Sequence, residues 1–169
     1  PAAPARSTRS ATAWPPEATG LPPVTATSLP YPEIQSVAGL IVNGAGHLLL
    51  QLRDDKPGIA HPGYWGLPGG AVEPGEEPDA AFLREMEEET GWRPARFVHY
   101  GSFPVRRGGA PIAHVYAARL DRPAASLVVG EGQGFAFFPP RALPRPLTPL
   151  VDRLVDAFVA SAAYRELTA

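Results

Sequence analysis

The 169-residue chain contains no cysteine, a single methionine, and one lysine, Lys56. Without cysteine there is no disulfide framework, no thiolate zinc site and no thiol nucleophile, and the redox compartment is left open. No uninterrupted apolar stretch approaches the roughly 20 residues a membrane-spanning helix needs, and the first residues lack the apolar run of a signal peptide. The expectation is a soluble protein in a cytoplasmic setting, with no membrane partner. Nor is there an excess of one charge. Fifteen Lys plus Arg stand against 17 Asp plus Glu, a net charge of −2. General attraction to nucleic acid is therefore not expected, and any phosphate binding must be local. So little lysine among 22 prolines and 17 glycines fits the codon bias of a GC-rich bacterial genome.

The length suits one globular domain with a real core. From Pro1 to about Pro30 the chain is Pro, Ala, Thr and Ser with no hydrophobic period, too little apolar surface to offset the entropy of ordering. This reads as a disordered arm over residues 1–30, followed by a domain over 31–169. The domain opens with two strands, Ser36 to Val42 and His47 to Arg53, around an Asn43-Gly44-Ala45-Gly46 turn. A Pro- and Gly-containing loop, Asp54 to Gly63, leads to the short apolar run Tyr64 to Leu67 and then Pro68-Gly69-Gly70. The spacing predicts a helix over Pro78 to Thr90, with Glu77 and Asp79 at its positive end, Leu83, Met86 and Thr90 on one face, and Gly91 as the stop. Phe97 to Val105, Ile112 to Leu120 and Gly134 to Phe138 read as strands. A last helix is expected from about Thr148 to Ala163, with Leu150, Leu154, Val155 and Phe158 on one side. Mixed strands and helices argue for an α+β or α-β-α layered domain.

Glu85, Glu88 and Glu89 stand at i, i+3 and i+4, so a helix projects all three from one surface. Like charges at these spacings repel by a few tenths of a kcal/mol per pair. A divalent cation relieves the crowding, and Mg²⁺ prefers oxygen ligands that it can bridge to substrate phosphates. An acidic run such as Glu87-Glu88-Glu89 is otherwise most simply a solvated face.

The surroundings decide between these readings. Gly70, Glu76, Arg84, Glu85, Met86, Glu88, Glu89, Gly91 and Trp92 fit G-x5-E-x7-R-E-U-x-E-E-x-G-U, with U a bulky apolar residue. The seven fixed identities coincide by chance about once in 10⁸ or more trials at average residue usage. Residues 70–92 closely resemble the signature of the Nudix hydrolases (MutT-like), and the likeness extends loosely from Ser36 to the C-terminus. The resemblance implies an α-β-α sandwich with a mixed sheet, the signature forming a loop-helix-loop. It also implies Mg²⁺, or Mn²⁺ in its place, held by Glu85, Glu88, Glu89 and the Gly69 carbonyl, with Glu76 and Arg84 orienting those ligands. The implied reaction is attack of water on one phosphorus of a nucleoside diphosphate linked to another moiety. Glu88 and Glu89 are candidates for orienting that water. Glu131, in the turn Val129-Gly130-Glu131-Gly132-Gln133-Gly134-Phe135, is the best candidate for a base outside the signature, and is also readable as an ordinary exposed turn residue. Glu73 is a weaker candidate.

Tyr64 and Trp65, beside the Gly-rich loop, are candidates for stacking on a nucleobase. Phe103, Phe135, Phe137 and Phe138 belong more naturally to the core, and His114, in a strand pattern, reads as a core or surface residue rather than a catalytic one. Arg53, Arg106 and Arg107 are candidates for phosphate or sugar-acid groups, because a guanidinium matches an oxyanion bidentately. The stretch Arg107-Gly108-Gly109-Ala110 lacks the proline or tyrosine marks of some subfamilies. The substrate stays open between a nucleotide sugar and a nucleoside triphosphate. A nucleotide-sensing module without turnover is the alternative, although its usual sign, lost carboxylates, is absent. An isomerase acting on prenyl diphosphates lacks the cysteine that its acid–base pair uses. The oligomeric state is left between monomer and homodimer.

Overall fold

The computed structural model describes residues 35–105 and 112–169. The expected arm at 1–30, Arg106 and Arg107 lie outside the described residues. Six strands form one mixed sheet: β1 (Gln35–Val42), β2 (Leu48–Leu52), β3 (Trp65–Gly66), β4 (Val98–Pro104), β5 (Ile112–Arg119) and β6 (Gly134–Phe138). The order is β3-β2-β1-β5-β4, and β6 pairs antiparallel along the whole of β2, from Leu48↔Phe138 to Leu52↔Gly134. β1 and β5 run parallel over eight pairs; β1 with β2, β2 with β3, and β4 with β5 are antiparallel.

Alternation along the strands sends side chains to two cores. Ala38, Leu40, Val42, Leu48, Leu50 and Val115 face the layer of α2 (Pro149–Ala160) and α3 (Ala162–Thr168). Val37, Ile41, Leu49, Tyr116 and Ala118 face α1 (Pro78–Thr90). The architecture is the expected α-β-α sandwich. Both faces of β1 and β5 are covered, which accounts for their nearly continuous apolar character.

Helix faces differ from the sequence reading by one position. Phe82 rather than Leu83 lies fully buried beside Met86, and its ring stacks on Tyr116 at 4.6 Å. Val151, not Leu150, joins Leu154, Val155 and Phe158 in the core. A one-residue rotation of the apolar stripe is a small change for a helix whose flanking positions are both apolar. The last helix is also two helices. Ser161 adopts extended backbone, and its Oγ accepts the Tyr164 N–H, so it starts α3 as a cap rather than continuing α2. Among the described residues no helix is long and apolar enough to cross a membrane.

Candidate active site

Helix α1 is fixed to the sheet by Ala81, Phe82 and Met86 and ends at Gly91, whose N–H returns to the Glu87 carbonyl. That anchoring turns Glu89 inward under the Pro68-Gly69-Gly70 loop, where it is 4% exposed. The loop is itself sewn onto β1: Val37 N–H donates to the Gly70 carbonyl and Gly39 N–H to the Pro68 carbonyl, both at 2.9 Å. Between them, the Gly69 carbonyl accepts no hydrogen bond among the described residues. Gly69 has φ 139°, and a Cβ there would run into the Val37 carbonyl; a Cβ at Gly70 would lie 2.5 Å from the Glu85 carboxylate. Gly69 thus lets the loop close on β1, and Gly70 lets it close on the helix.

Arg84 organises the rim. Its Nε and Nη2 donate to the two Glu76 oxygens at 3.0 and 2.9 Å. Nη2 also donates to the Ala71 carbonyl at 2.9 Å, and Nη1 to Glu85 Oε1 at 2.8 Å and Glu88 Oε2 at 3.1 Å. All five guanidinium protons are thereby used, a demand a lysine cannot meet. Its hydrogen bonds hold the Glu76 carboxyl below the usual range, helped by the Glu73 N–H, which donates to Glu76 Oε2.

Burial pushes the other carboxyls the opposite way. Glu85 is raised by desolvation in spite of Arg84. Glu89 is pushed up to about 7 by desolvation, against hydrogen bonds from Gly69 N–H (2.8 Å to Oε2) and Gln51 Nε2 (3.4 Å to Oε1). The charges of Glu85 and Glu131 add to the rise at Glu89. Glu131 itself is exposed on the loop between β5 and β6, and its carbonyl accepts from Gln51 Nε2 at 3.0 Å.

That loop is clamped at several points. Val128 and Gly130 N–H groups donate to the Thr90 and Glu89 carbonyls at 3.0 Å, and Gln133 N–H donates to the Leu52 carbonyl at 2.8 Å. A Cβ at Gly130 would overlap the Glu88 carbonyl.

Among the described residues no three His, Cys, Asp or Glu side chains converge as a finished metal cage. Glu85 and Glu88 instead close on Arg84 Nη1, and Glu89 on the Gly69 N–H. The donor set nevertheless fits a hard divalent cation. Three carboxylates share one helical face, two already surround one positive group, and burial plus mutual repulsion raises the most enclosed of them. Glu88, its side chain 61% exposed, is the least enclosed of the three and, among the described residues, is held by Arg84 alone.

The substrate candidates separate. Arg53 Nε donates to the Ala60 carbonyl at 2.9 Å, and its Cδ lies beside Gly66. Tyr64 stays in the neighbouring loop, its ring 5.4 Å from His61. Trp65 does not join the carboxylates: it pairs with Leu52, packs edge-on against Phe138 at 4.9 Å, and belongs to the core under α2. A stacking role for it has no geometric support, because its strand position faces the other layer. Phe103 and Phe138 lie in that same core, Phe135 and Phe137 against the other, and His114 is buried.

Three residues went unnoticed in the sequence. Gln51 is a 3%-exposed amide in an otherwise leucine strand, signalled only by that polar interruption. Gly66 pairs with Gln51, and a Cβ there would meet Thr148 at 3.3 Å and Arg53 at 3.7 Å. Gly66 therefore lets Arg53 and Thr148, whose side chain makes no capping bond to α2, pack directly onto the sheet surface. No local pattern marks that juxtaposition.

Known proteins resemble the chain in both pattern and fold. An RNA pyrophosphohydrolase of Rhodospirillum rubrum is 39% identical over 74 residues, 44% of this chain and 41% of that protein. The Escherichia coli nucleoside triphosphatase NudI is 47% identical over 55 residues, 32% of this chain and 38% of that one. The chain thus spans about two fifths of the length of these curated relatives. The crystal structure of a MutT NUDIX hydrolase from Burkholderia pseudomallei superposes with a TM-score of 0.61 at 26% identity, covering 73% of this chain and 96% of that one. A family model for the NUDIX domain matches residues 32–158, which takes in the sheet, the Gly69-Gly70 loop and the whole of α1. The chain belongs to the Nudix family.

Proposed function

We propose that this chain is a Mg²⁺-dependent pyrophosphohydrolase that cleaves the P–O–P linkage of a nucleoside diphosphate carrying a further group, a nucleoside triphosphate or a nucleotide sugar. The observation that carries this reading is the α1 carboxylate face enclosed by the Gly69-Gly70 loop, with the loop of Glu131 tied to Gln51 and to the Glu89 carbonyl. The printed activities of the relatives, an RNA pyrophosphohydrolase and a nucleoside triphosphatase, support the same bond class.

Glu85, Glu88, Glu89 and the Gly69 carbonyl would hold the cation, with Mn²⁺ able to replace Mg²⁺, while Glu76 and Arg84 fix the carboxylates. When bound, it supplies charge neutralisation on the phosphoryl oxygens and the leaving group. Glu88 and Glu89 orient the attacking water, and Glu131 takes its proton. The water oxygen bonds to phosphorus, the bridging P–O bond breaks, and the leaving phosphate departs with the bond pair. Arg53, packed against Gly66, binds a phosphate or sugar oxygen through its Nη groups, and Tyr64 flanks the base or sugar. The working particle is left as a monomer or homodimer.

The test is phosphate or pyrophosphate release from ribo- and deoxynucleoside triphosphates and nucleotide sugars, with and without Mg²⁺. Release that requires Mg²⁺ and falls at least a hundredfold in Glu88→Gln and Glu89→Gln is expected. Binding of these nucleotides without release from any of them would leave the sensing module instead.

A further inference from the structure

We infer that Gln51 is a positioning residue: one amide group on β2 fixes both the buried Glu89 carboxylate and the peptide that carries Glu131, setting the two acids against each other across the site. This rests on the hydrolase reading above. β2 reads Leu48-Leu49-Leu50-Gln51-Leu52, and a leucine at the fourth place would bury more apolar surface without any polar group to satisfy. The amide instead sits 3% exposed, with both Nε2 protons engaged: one on Glu89 Oε1 at 3.4 Å, the other on the Glu131 carbonyl at 3.0 Å.

Each bond completes a set. Glu89 Oε2 is already held by the Gly69 N–H, so the Gln51 bond to Oε1 removes the remaining freedom of the carboxylate plane. In the loop, Gly130 is tied to the Glu89 carbonyl of α1 and Gln133 to the Leu52 carbonyl of β2. Glu131 lies between those ties, and Gln51 makes the bond to its own peptide. Gly132 completes the fit. Its φ is 75°, and a Cβ there would approach the Gln51 side chain to 3.2 Å and the Leu52 carbonyl to 2.6 Å, so the loop wraps directly over the amide. A residue that only filled the core would not need this double donation. Groups that orient ligating carboxylates characteristically change metal affinity or activity by about 10–100-fold when removed.

Two measurements on the 169-residue chain test this. The first is Mn²⁺ binding by electron paramagnetic resonance without substrate, which reads the Glu89 arm. The second is kcat and KM with whichever of the four deoxynucleoside triphosphates the unmutated protein turns over fastest, which reads the Glu131 arm. For Gln51→Leu the expectation is Mn²⁺ affinity weakened about tenfold and kcat lowered 10- to 100-fold, with KM within about threefold. In a Glu131→Gln background the added kcat loss from Gln51→Leu shrinks several-fold, because one of the two acids it positions is gone.

Gln51→Asn keeps a buried amide but is one methylene too short to span both acceptors. It guards against a Leu variant that fails to fold, with an expected kcat loss of at least about fivefold. Unchanged Mn²⁺ affinity in either folded variant, or kcat within twofold of the unmutated protein, would overturn the assignment. A protein that binds Mn²⁺ in a Gln51-dependent way yet hydrolyses no nucleotide would sink the hydrolase reading and leave this assignment of Glu89 standing.

Discussion

At the scale of single residues, the site is built from side chains that each satisfy several partners at once. Arg84 shows this most clearly. It spends five donors on Glu76, Ala71, Glu85 and Glu88, so it joins the loop before α1 to the carboxylates on it. Arg84→Lys retains the charge but offers three donors on a point-like ammonium, and cannot reproduce the fork onto Glu76. We expect kcat to fall about 10- to 100-fold with the fold intact, and half-activation by Mg²⁺ to move to higher concentration. Magnesium titrations of initial rate measure both, and a Lys variant indistinguishable from the unmutated protein would show the network to be ornamental. Arg84, Glu76 and the three α1 glutamates were legible because their spacing is a local property of one helix and the loop before it. Gln51 was not, because its partners lie 38 and 80 positions away and only the sheet register brings them together.

Among the elements, the two-residue strand β3 does more than its length suggests. It hydrogen-bonds to β2 on one side and to the 146–148 segment on the other, with Trp65 N–H donating to the Pro146 carbonyl and Thr148 N–H to the Trp65 carbonyl. Trp65 faces one core, so Gly66 faces the side of Gln51 and Glu89, and its missing side chain lets Arg53 and Thr148 pack against it. Gly66→Val puts a side chain where those two now sit. Valine favours extended backbone, but with even its Cβ only 3.3 Å from Thr148 and 3.7 Å from Arg53, both side chains must move aside. The expected result is KM raised about tenfold, equivalent to about 1.4 kcal/mol of binding, with kcat within about threefold. Steady-state kinetics decide it: an unchanged KM would place the substrate elsewhere. The five longer strands were readable from apolar runs and turn residues, β3 was read only as a short apolar run, and the helix faces were misread by one position. Period 3.6 with apolar neighbours at Phe82-Leu83 and Leu150-Val151 does not say which of two adjacent residues the sheet will choose.

The whole molecule places two sets of titratable groups on the α1 side of one sheet, each with one buried member, His114 or Glu89, and they respond to acid in opposite directions. In the first set, Ser102 Oγ links His99 Nε2 at 3.1 Å to His114 Nδ1 at 2.8 Å, and His114 Nε2 meets Gln35 Oε1 at 2.8 Å. Burial lowers the pKa of both histidines, the charge of His99 lowers His114 further, and Asp79 opposes both shifts. A depressed folded-state pKa means stability that is present above the unfolded value of about 6.5 and is lost as pH falls through the folded values. The second set is Glu89 with Glu85, whose raised pKa values mean the reverse. Their contribution is fully present below an unfolded value of about 4.5 and is lost as pH rises through the folded value, about 7 for Glu89. Between roughly pH 7.5 and 5.5 the two trends therefore offset each other in the metal-free protein. Saturating Mg²⁺ removes the compensation, because it binds the ionised carboxylates and is itself displaced by protons as the pH falls. Thermal unfolding should accordingly drop by about 5 °C or more from pH 7.5 to 5.5 with 10 mM Mg²⁺, and by clearly less without it. Replacing Glu89 by Gln should make the metal-free protein lose stability on acidification as the histidines alone dictate. Equal slopes with and without Mg²⁺ would show that the cation does not bind these carboxylates, and a flat profile in the Gln variant would remove the histidine pair from the account.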